Sequence, residues 1–258
     1  MDTRPLAVVT GASSGIGYEL AKQFADNGFD LVIAAEDADI SAAAHNLAAS
    51  GCSVQSVQAD LATYEGVEQL YAAIRATGRP VEAIALNAGV GVHGDFARET
   101  DLREELNLVD LNVRSTVHLA KRVLPDMVAR GQGRVLFTAS IAARMPATYT
   151  ATYGASKAFV YSFAQAVRAE LKDTGVTVTA LMPGPTDTDF FDRAGMEDTR
   201  VGQGKKDDPA DVAKEGFEAL MAGKDQVISA SLKTKVMGTA AKITPEPLKA
   251  EQHRKMAE

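Results

Sequence analysis

The stretch "LAVVTGASSGIG", residues 6–17, joins a short apolar run to a turn that holds three glycines. The run is typical of a buried strand, and a helical pattern begins at about Gly15. Such a turn lets the backbone approach a pyrophosphate, which the free N–H groups at a helix N-terminus favour. The spacing differs from G-x-G-x-x-G, and glycines in a turn also serve geometry alone. The position of the turn at the first strand–helix junction favours a dinucleotide.

Outward from this stretch, strand-like runs alternate with helix-like patterns. The runs cover 6–10, 31–35, 54–59, 81–86, 134–138, 176–181 and 226–229. The helical patterns cover 15–27, 41–49, 64–77, 101–129, 153–172 and 209–222. This alternation predicts an α/β fold with a mostly parallel sheet and helices on both faces. No linker interrupts it, so we expect residues 1–258 to form a single domain, with a core at 6–229 and a C-terminal tail at 230–258.

Composition and charge exclude several classes of protein. The 258 residues are 46% hydrophobic and 24% charged, as in a soluble globular protein. A net charge of −7 argues against nucleic acid or an anionic membrane as a partner. The single Cys52 cannot form an internal disulfide, and the four histidines are too scattered for a metal site. The apolar run at Leu6 leaves no room for a signal peptide, and no stretch of about 18 apolar residues occurs. We therefore expect a cytoplasmic protein.

Four motifs in register carry a family resemblance. They are "TGASSGIG" at 10–17, "NAG" at 87–89, Ser140, and "YGASK" at 153–157. In this order and at these separations they resemble the short-chain dehydrogenase/reductase family, from Leu6 to about Ser229. The resemblance implies a Rossmann-like doubly wound fold with seven mostly parallel strands and a nicotinamide cofactor. It also implies hydride transfer between that cofactor and a ketone or secondary alcohol.

Tyr153 and Lys157 stand one helical turn apart. Residues four positions apart share a face of a helix, so both side chains can meet one ligand. A nearby cation favours the phenolate and lowers the pKa of a tyrosine, so we expect Lys157 to lower that of Tyr153. Without other motifs the pair would suggest a solvated helix face. Ser140 favours a ligand-binding site instead. It follows the carboxyl end of a predicted strand, where open α/β sheets bind ligands.

The resemblance implies a role for each catalytic residue. Tyr153 would be the general acid/base, Ser140 would hold the substrate oxygen, and Lys157 would also bind the nicotinamide ribose. Asn112 matches the family asparagine that organises its helix and a water chain leading to the lysine. By itself, a mid-helix asparagine would suggest only a kink or a satisfied polar group.

The resemblance also implies a set of cofactor contacts. The residues are Thr10, Gly11, Ser13, Ser14, Gly15, Ile16, Gly17, Glu36, Asp60, Leu61, Asn87, Ala88, Gly89, Tyr153, Lys157, Pro183, Gly184, Thr186 and Thr188. Asp60 would contact the adenine, although it also fits a helix N-cap. The segment 87–89 would lie beneath the adenosine ribose, although it also fits a turn. Thr188 would bind the nicotinamide carboxamide, although 183–188 also fits a loop stiffened by prolines.

The end of the second predicted strand bears on cofactor choice. Many NADP-preferring relatives place an arginine there, or a basic residue in the glycine turn, whereas this chain has Glu36, Ser13 and Ser14. A carboxylate accepts hydrogen bonds from the ribose 2′-OH and repels a 2′-phosphate. NAD is therefore favoured over NADP, although Ala35 occupies the position where NAD-preferring relatives usually have an aspartate.

The substrate region is less defined by sequence. We expect walls from residues 141–149 and from the loop with Phe190 and Phe191, which would make the pocket apolar or mixed, although these side chains also fit a core. The segment 193–208 fits a mobile lid. The basic tail after Ser229, interrupted by Pro245 and Pro247, is interpreted as solvated or packed on a partner.

One alternative function stays open on the same fold. A non-catalytic protein that senses nucleotides would need the cofactor residues but not the Ser140, Tyr153 and Lys157 set. The family resemblance also implies a homodimer or a homotetramer.

Overall fold

A computed structural model describes residues 4–229 and 246–257. Seven strands form one sheet in the order β3-β2-β1-β4-β5-β6-β7, and each pairs in parallel with its neighbours. The strands are β1 Leu6–Thr10, β2 Asp30–Ala35, β3 Val54–Gln58, β4 Val81–Leu86, β5 Gly133–Thr138, β6 Val176–Pro183 and β7 Gln226–Ser229. The predicted fold class is confirmed, because strands buried on both faces carry the apolar runs that the sequence displays.

The helices cover both faces of the sheet. They are α1 Gly15–Asp26, α2 Ile40–Ala48, α3 Tyr64–Ala76, α4 Leu102–Val109, α5 Ser115–Arg130, α6 Ala151–Glu170, α7 Phe190–Arg193, α8 Arg200–Gln203, α9 Pro209–Met221 and α10 Glu246–Ala257. Apolar side chains of α1, α2 and α9 pack on one face, and those of α3, α5 and α6 pack on the other. Within the described residues, no helix combines the length and the hydropathy needed to cross a bilayer.

The helix predicted at 101–129 is helical from Leu102 to Arg130, but it is not α-helical throughout. A π-helical turn at Asp110–Arg114 separates α4 from α5. Asn112 lies in this turn and is almost completely buried. Its side chain bonds the backbone of Val90 in both directions, at 2.9 and 3.0 Å, and donates to Ser156 Oγ at 3.0 Å. The wider turn accompanies these long-range bonds, which a helical sequence pattern does not encode.

Candidate active site

A cleft of about 970 Å³ opens at the carboxyl ends of the strands. It lies where strand order reverses, since β1 pairs with both β2 and β4, and open α/β sheets bind ligands at this point. The cleft brings together most of the residues that the sequence singled out. These are Gly11, Ser13, Ser14, Gly15, Ile16, Gly17, Glu36, Asp60, Leu61, Asn87, Ala88, Gly89, Ser140, Tyr153, Lys157, Pro183, Gly184, Thr186 and Thr188.

The glycine turn has the shape that a pyrophosphate requires. Gly11 and Gly15 have φ angles of 66° and 55°, in the left-handed region that favours glycine. A Cβ on Gly17 would lie 1.9 Å from the Gly11 carbonyl oxygen, so only glycine allows α1 to start this close to β1. Ser14 precedes α1 and makes no capping bond through its side chain. The first N–H groups of α1 therefore suit an anion, and the residues fit a nicotinamide dinucleotide.

Thr10 supports the cleft from behind rather than lining it. Its hydroxyl accepts hydrogen bonds from the backbone N–H groups of Asn87 and Ala88, at 2.9 and 3.0 Å. The Asn87 side chain donates a hydrogen bond to the Thr10 carbonyl at 3.1 Å and accepts one from the Thr138 hydroxyl at 3.0 Å. Thr10 thus joins β1 to the 87–89 loop, and its contact with the cofactor stays a prediction.

Ser140, Tyr153 and Lys157 converge at the end of β5. Ser140 precedes a 3₁₀ turn at Ile141–Arg144, and its hydroxyl accepts from Ala142 N–H at 3.1 Å. Tyr153 and Lys157 lie on one face of α6, with Lys157 Nζ 5.8 Å from the centre of the Tyr153 ring. Lys157 is buried, and its ammonium donates to the Thr138 carbonyl at 3.0 Å. The three side chains therefore face the same part of the cleft.

Burial changes the acidity of both helix residues. Burial raises the pKa of Tyr153 above its ordinary value, and a hydrogen bond with the Ser140 side chain offsets part of this increase. Burial also lowers the pKa of Lys157 to about 8. The expected lowering of the Tyr153 pKa is therefore not found in the free protein, because loss of hydration outweighs the hydrogen bond with Ser140. At neutral pH Tyr153 is a phenol that has a proton to give.

The buried Lys157 makes stability depend on pH. Its pKa is about 8 in the folded protein, below that in the unfolded chain, so between the two values the unfolded state holds more protons. The free energy of unfolding should therefore rise by about 1–2 kcal/mol as pH rises from about 7.5 to about 9.5. Urea unfolding of the wild type and of Lys157→Met measures this rise as the difference between the two proteins. Equal pH slopes in both proteins would contradict the assignment.

Asn112 positions other residues and does not line the cleft. Its bonds join the loop after β4, at Val90, to α6, at Ser156. A Cβ on Gly89 would lie 3.0 Å from Asn112 Oδ1 and 3.1 Å from Lys157 Nζ, so this loop packs directly on the lysine. These bonds agree with the predicted task of organising the helix, and the assignment of Asn112 to the catalytic set stays a prediction.

The acidic end of the cleft contains a residue that the sequence analysis did not select. Asp37 lines the cleft beside Glu36, and its carboxylate accepts a hydrogen bond from Ser13 Oγ at 2.8 Å. This bond joins the end of β2 to the glycine turn. The two adjacent acids after β2, Glu36 and Asp37, can be seen in the sequence. The sequence does not show which of them bonds to the glycine turn.

The substrate half of the cleft is apolar near Tyr153. The ring of Phe190 lies 5.1 Å from that of Tyr153, while Phe191 is buried in a small cluster with Ala194 and Met196. The segment 193–208, predicted to be an irregular lid, contains α8. A β-bridge also joins Asp207 to Thr186. The segment 193–208 is therefore partly ordered into regular structure. Its predicted motion as a lid stays a prediction.

The C-terminal helix forms an unexpected wall of this half. His253, Lys255, Met256 and Ala257 of α10 line the cleft. The predicted solvated or partner-packed tail is therefore wrong for 246–257, while 230–245 and Glu258 lie outside the described residues. Pro247, treated as a helix breaker, lies in the first turn of α10, where proline is tolerated.

Comparisons with known proteins agree with this geometry. The sequence matches the short chain dehydrogenase family over residues 5–198. It is 29% identical to the oxidoreductase UcpA of Salmonella typhimurium over 219 residues, 84% of this chain and 81% of that protein. It is 29% identical to the NADP-dependent 3-hydroxy acid dehydrogenase YdfG of Salmonella typhi over 180 residues, 69% of this chain and 71% of that protein.

A solved structure is similar over nearly the whole chain. A short-chain dehydrogenase from Sphingobium yanoikuyae in complex with NADPH superposes with a TM-score of 0.81, at 29% identity, covering 92% of this chain and 94% of that one. The protein belongs to the short-chain dehydrogenase/reductase family. Within that family it is a nicotinamide-dependent oxidoreductase.

Proposed function

We propose that the protein reduces ketones to secondary alcohols at neutral pH, with Tyr153 as the general acid. The observation that carries the proposal is a half-buried phenol, with a pKa raised by loss of hydration, that shares one cleft with Ser140 and Lys157. A raised pKa keeps the proton on Tyr153, which suits donation to a carbonyl oxygen. Alcohol oxidation needs the phenolate, so the reverse reaction should need alkaline pH.

Each side chain has a distinct task in this proposal. The cofactor supplies the hydride that reduces the carbonyl carbon. Ser140 donates a hydrogen bond to the carbonyl oxygen, and Tyr153 Oη transfers its proton to that oxygen as negative charge develops there. The Lys157 ammonium opposes the charge of the phenolate that remains, which then regains a proton from water. The sensor alternative finds no support, because it gives these three residues no task.

We also propose that NAD(H) is preferred over NADP(H). Residues 10–17 and 35–39 contain no lysine or arginine, and they place the carboxylates of Glu36 and Asp37 beside the glycine turn. A 2′-phosphate held there would face two like charges with no cation. The comparisons do not support this preference, since both YdfG and the Sphingobium enzyme are named with NADP cofactors. The proposal therefore depends on these residues alone.

A ketone panel assayed with NADH and NADPH in parallel tests both proposals. We expect turnover of several ketones, with a kcat/KM for NADH at least about tenfold above that for NADPH. Glu36→Arg should shift this ratio toward NADPH by about tenfold, because it replaces a repulsive charge with an attractive one. Glu170→Arg, the same charge change at the exposed end of α6, should leave the ratio unchanged. A wild type that strongly prefers NADPH would contradict the role given to Glu36.

We propose that the chain self-associates through α4 and α6. Leu102 and Leu106 of α4 are 70% and 54% exposed, and Val109 and Phe159 add to this apolar surface. Exposed apolar side chains on two helices that contact each other favour burial against a second copy, as a homodimer or homotetramer. Sedimentation of the wild type beside Leu106→Glu tests this, since a monomeric wild type would contradict it.

A cytoplasmic location also stays a prediction, which cell fractionation would test.

A further inference from the structure

The C-terminal helix α10 is fastened to the substrate side of the cleft by three hydrogen bonds. Thr148 Oγ1 donates to the Ala250 carbonyl, His253 Nδ1 contacts the Thr148 carbonyl, and His93 Nε2 contacts the Ala257 carbonyl, each at 3.0 Å. Thr148 takes part in two of these bonds and lies in the segment between Ser140 and α6. The helix is therefore fixed to the segment that carries the catalytic serine.

The segment at Thr148 is itself held in place. Tyr149 has a φ of 64°, an uncommon value for a residue with a side chain. Its carbonyl accepts a hydrogen bond from Gly94 N–H at 2.8 Å, which joins this segment to the loop after β4. The direction of the neighbouring Thr148 carbonyl is thereby restrained. His253 therefore meets a restrained acceptor.

The Thr148 carbonyl determines the tautomer of His253. A carbonyl oxygen has no proton, so Nδ1 of the imidazole must be the donor in their 3.0 Å contact. Burial and the neighbouring His93 lower the pKa of His253, and the bond to Thr148 opposes this only in part. The ring is therefore neutral at pH 7, with its proton on Nδ1 and a lone pair on Nε2.

The lone pair of His253 Nε2 is free to bind a substrate. Across residues 4–229 and 246–257, the Thr148 carbonyl is the hydrogen-bond partner found for this imidazole, and Nε2 has none. The side chain lines the same cleft as Tyr153. Met145, Met196 and Met256 line the same cleft, whose lining is more apolar than polar, so an acceptor in it is a selective feature.

We propose that His253 is a specificity-determining residue whose Nε2 accepts a hydrogen bond from a hydroxyl group of the substrate, so that the enzyme prefers ketones that carry a separate hydroxyl group. This inference rests on the proposed ketone reductase function. A site that offers an acceptor to a hydroxyl discriminates against analogues that lack the donor, because bound substrate then displaces water from the acceptor without replacing its hydrogen bond. The preferred substrates are thus hydroxyketones with an otherwise apolar body.

Cyclohexanones with a hydroxyl, a methoxy or no substituent at carbon 3 or carbon 4 test this proposal. A methoxy group can accept a hydrogen bond but cannot donate one. The comparison of hydroxyl with methoxy analogues therefore measures the effect of the O–H donor that Nε2 requires. With the wild type we expect kcat/KM to be at least about fivefold higher for a hydroxycyclohexanone than for the methoxy analogue at one of the two positions. Equal values at both positions would overturn the proposal.

Two histidine variants separate recognition from structure. Asparagine places an amide N–H near the position of Nδ1, so His253→Asn keeps a donor for Thr148 and loses the Nε2 acceptor. We expect its hydroxyl preference to fall to about one, with kcat/KM for cyclohexanone unchanged within about twofold. His45→Asn, in an exposed histidine of α2, should keep the preference. A purely structural role of His253 would instead lower kcat/KM for all ketones equally.

The outcomes distinguish the two levels of the proposal. If hydroxycyclohexanones are preferred by the wild type and equally by His253→Asn, the role of His253 is wrong while the reductase function stands. If no ketone is reduced although NADH still raises the Tm, the proposed function fails and this inference fails with it. Matching Tm values for the wild type and both variants exclude misfolding as a cause.

Discussion

A Tyr153→Phe variant should bind NADH with nearly unchanged affinity and lose about 10²–10⁴-fold in kcat for ketone reduction. The change removes one oxygen from a half-buried side chain, and the ring keeps its place beside Phe190. It also removes the proton that the carbonyl oxygen must receive. Single-turnover and steady-state assays with any ketone that the wild type reduces measure the loss. The effect should appear in kcat rather than in cofactor binding, because the phenol acts in the chemical step.

A matched control for this variant lies on the same helix. Tyr161 is two turns further along α6, and its hydroxyl contacts Gln226 Oε1 at 3.1 Å, away from the cleft. Tyr161→Phe makes the same chemical change and should alter kcat by less than about threefold. If Tyr153→Phe retains wild-type kcat, another group is the proton donor, and the proposed mechanism is wrong.

A Gly17→Ala variant should lose NADH affinity by at least about 10²-fold, or fail to fold. The added Cβ would lie 1.9 Å from the Gly11 carbonyl oxygen and 2.6 Å from Asn87 Nδ2. Neither neighbour can retreat freely, because Asn87 is bonded to β1 and β5, so α1 and the glycine turn must shift. Overpacking of this kind costs about 1–3 kcal/mol and occasionally more. Calorimetry with NADH and thermal unfolding measure the two effects.

Gly28→Ala provides a contrasting substitution for Gly17→Ala. Gly28 has a φ of 85° and would present a Cβ to open space, so alanine there adds backbone strain without a collision. It should cost about 1–2 kcal/mol of stability and leave NADH affinity unchanged. A Gly17→Ala protein that binds NADH as tightly as Gly28→Ala would show that the turn tolerates a wider separation from β1.

The sheet and the nucleotide turn were predictable because their physical causes are local. Strands covered on both faces require apolar side chains, so β1, β2, β4, β5 and β6 are visible as largely apolar runs. The glycines of the turn are required by dihedral angles and by one close approach. The face shared by Tyr153 and Lys157 follows from helical spacing alone. These features need no information about distant parts of the chain.

The features that prediction missed depend on long-range contacts. The π-helical turn at Asp110–Arg114 accompanies bonds from Asn112 to two other segments, and no local sequence pattern indicates these bonds. The raised pKa of Tyr153 depends on burial, whereas the sequence revealed only the neighbouring cation. The packing of α10 on the cleft depends on the backbone carbonyl groups of Thr148 and Ala257. Every residue has such a group, and only the fold determines which of them form these bonds. Backbone acceptors of this kind leave no signal in residue type.

The position of the cleft determines where a fused polypeptide or a solid support can be attached without blocking the substrate. Ala257 is buried, and its carbonyl accepts from His93, so anything attached just beyond it begins at the rim of the substrate cleft. Arg4 is exposed just before β1, at the amino ends of the strands and therefore opposite the cleft. Immobilisation or fusion through the amino-terminal side should therefore preserve access for bulky ketones, whereas attachment through the carboxyl-terminal side should crowd it.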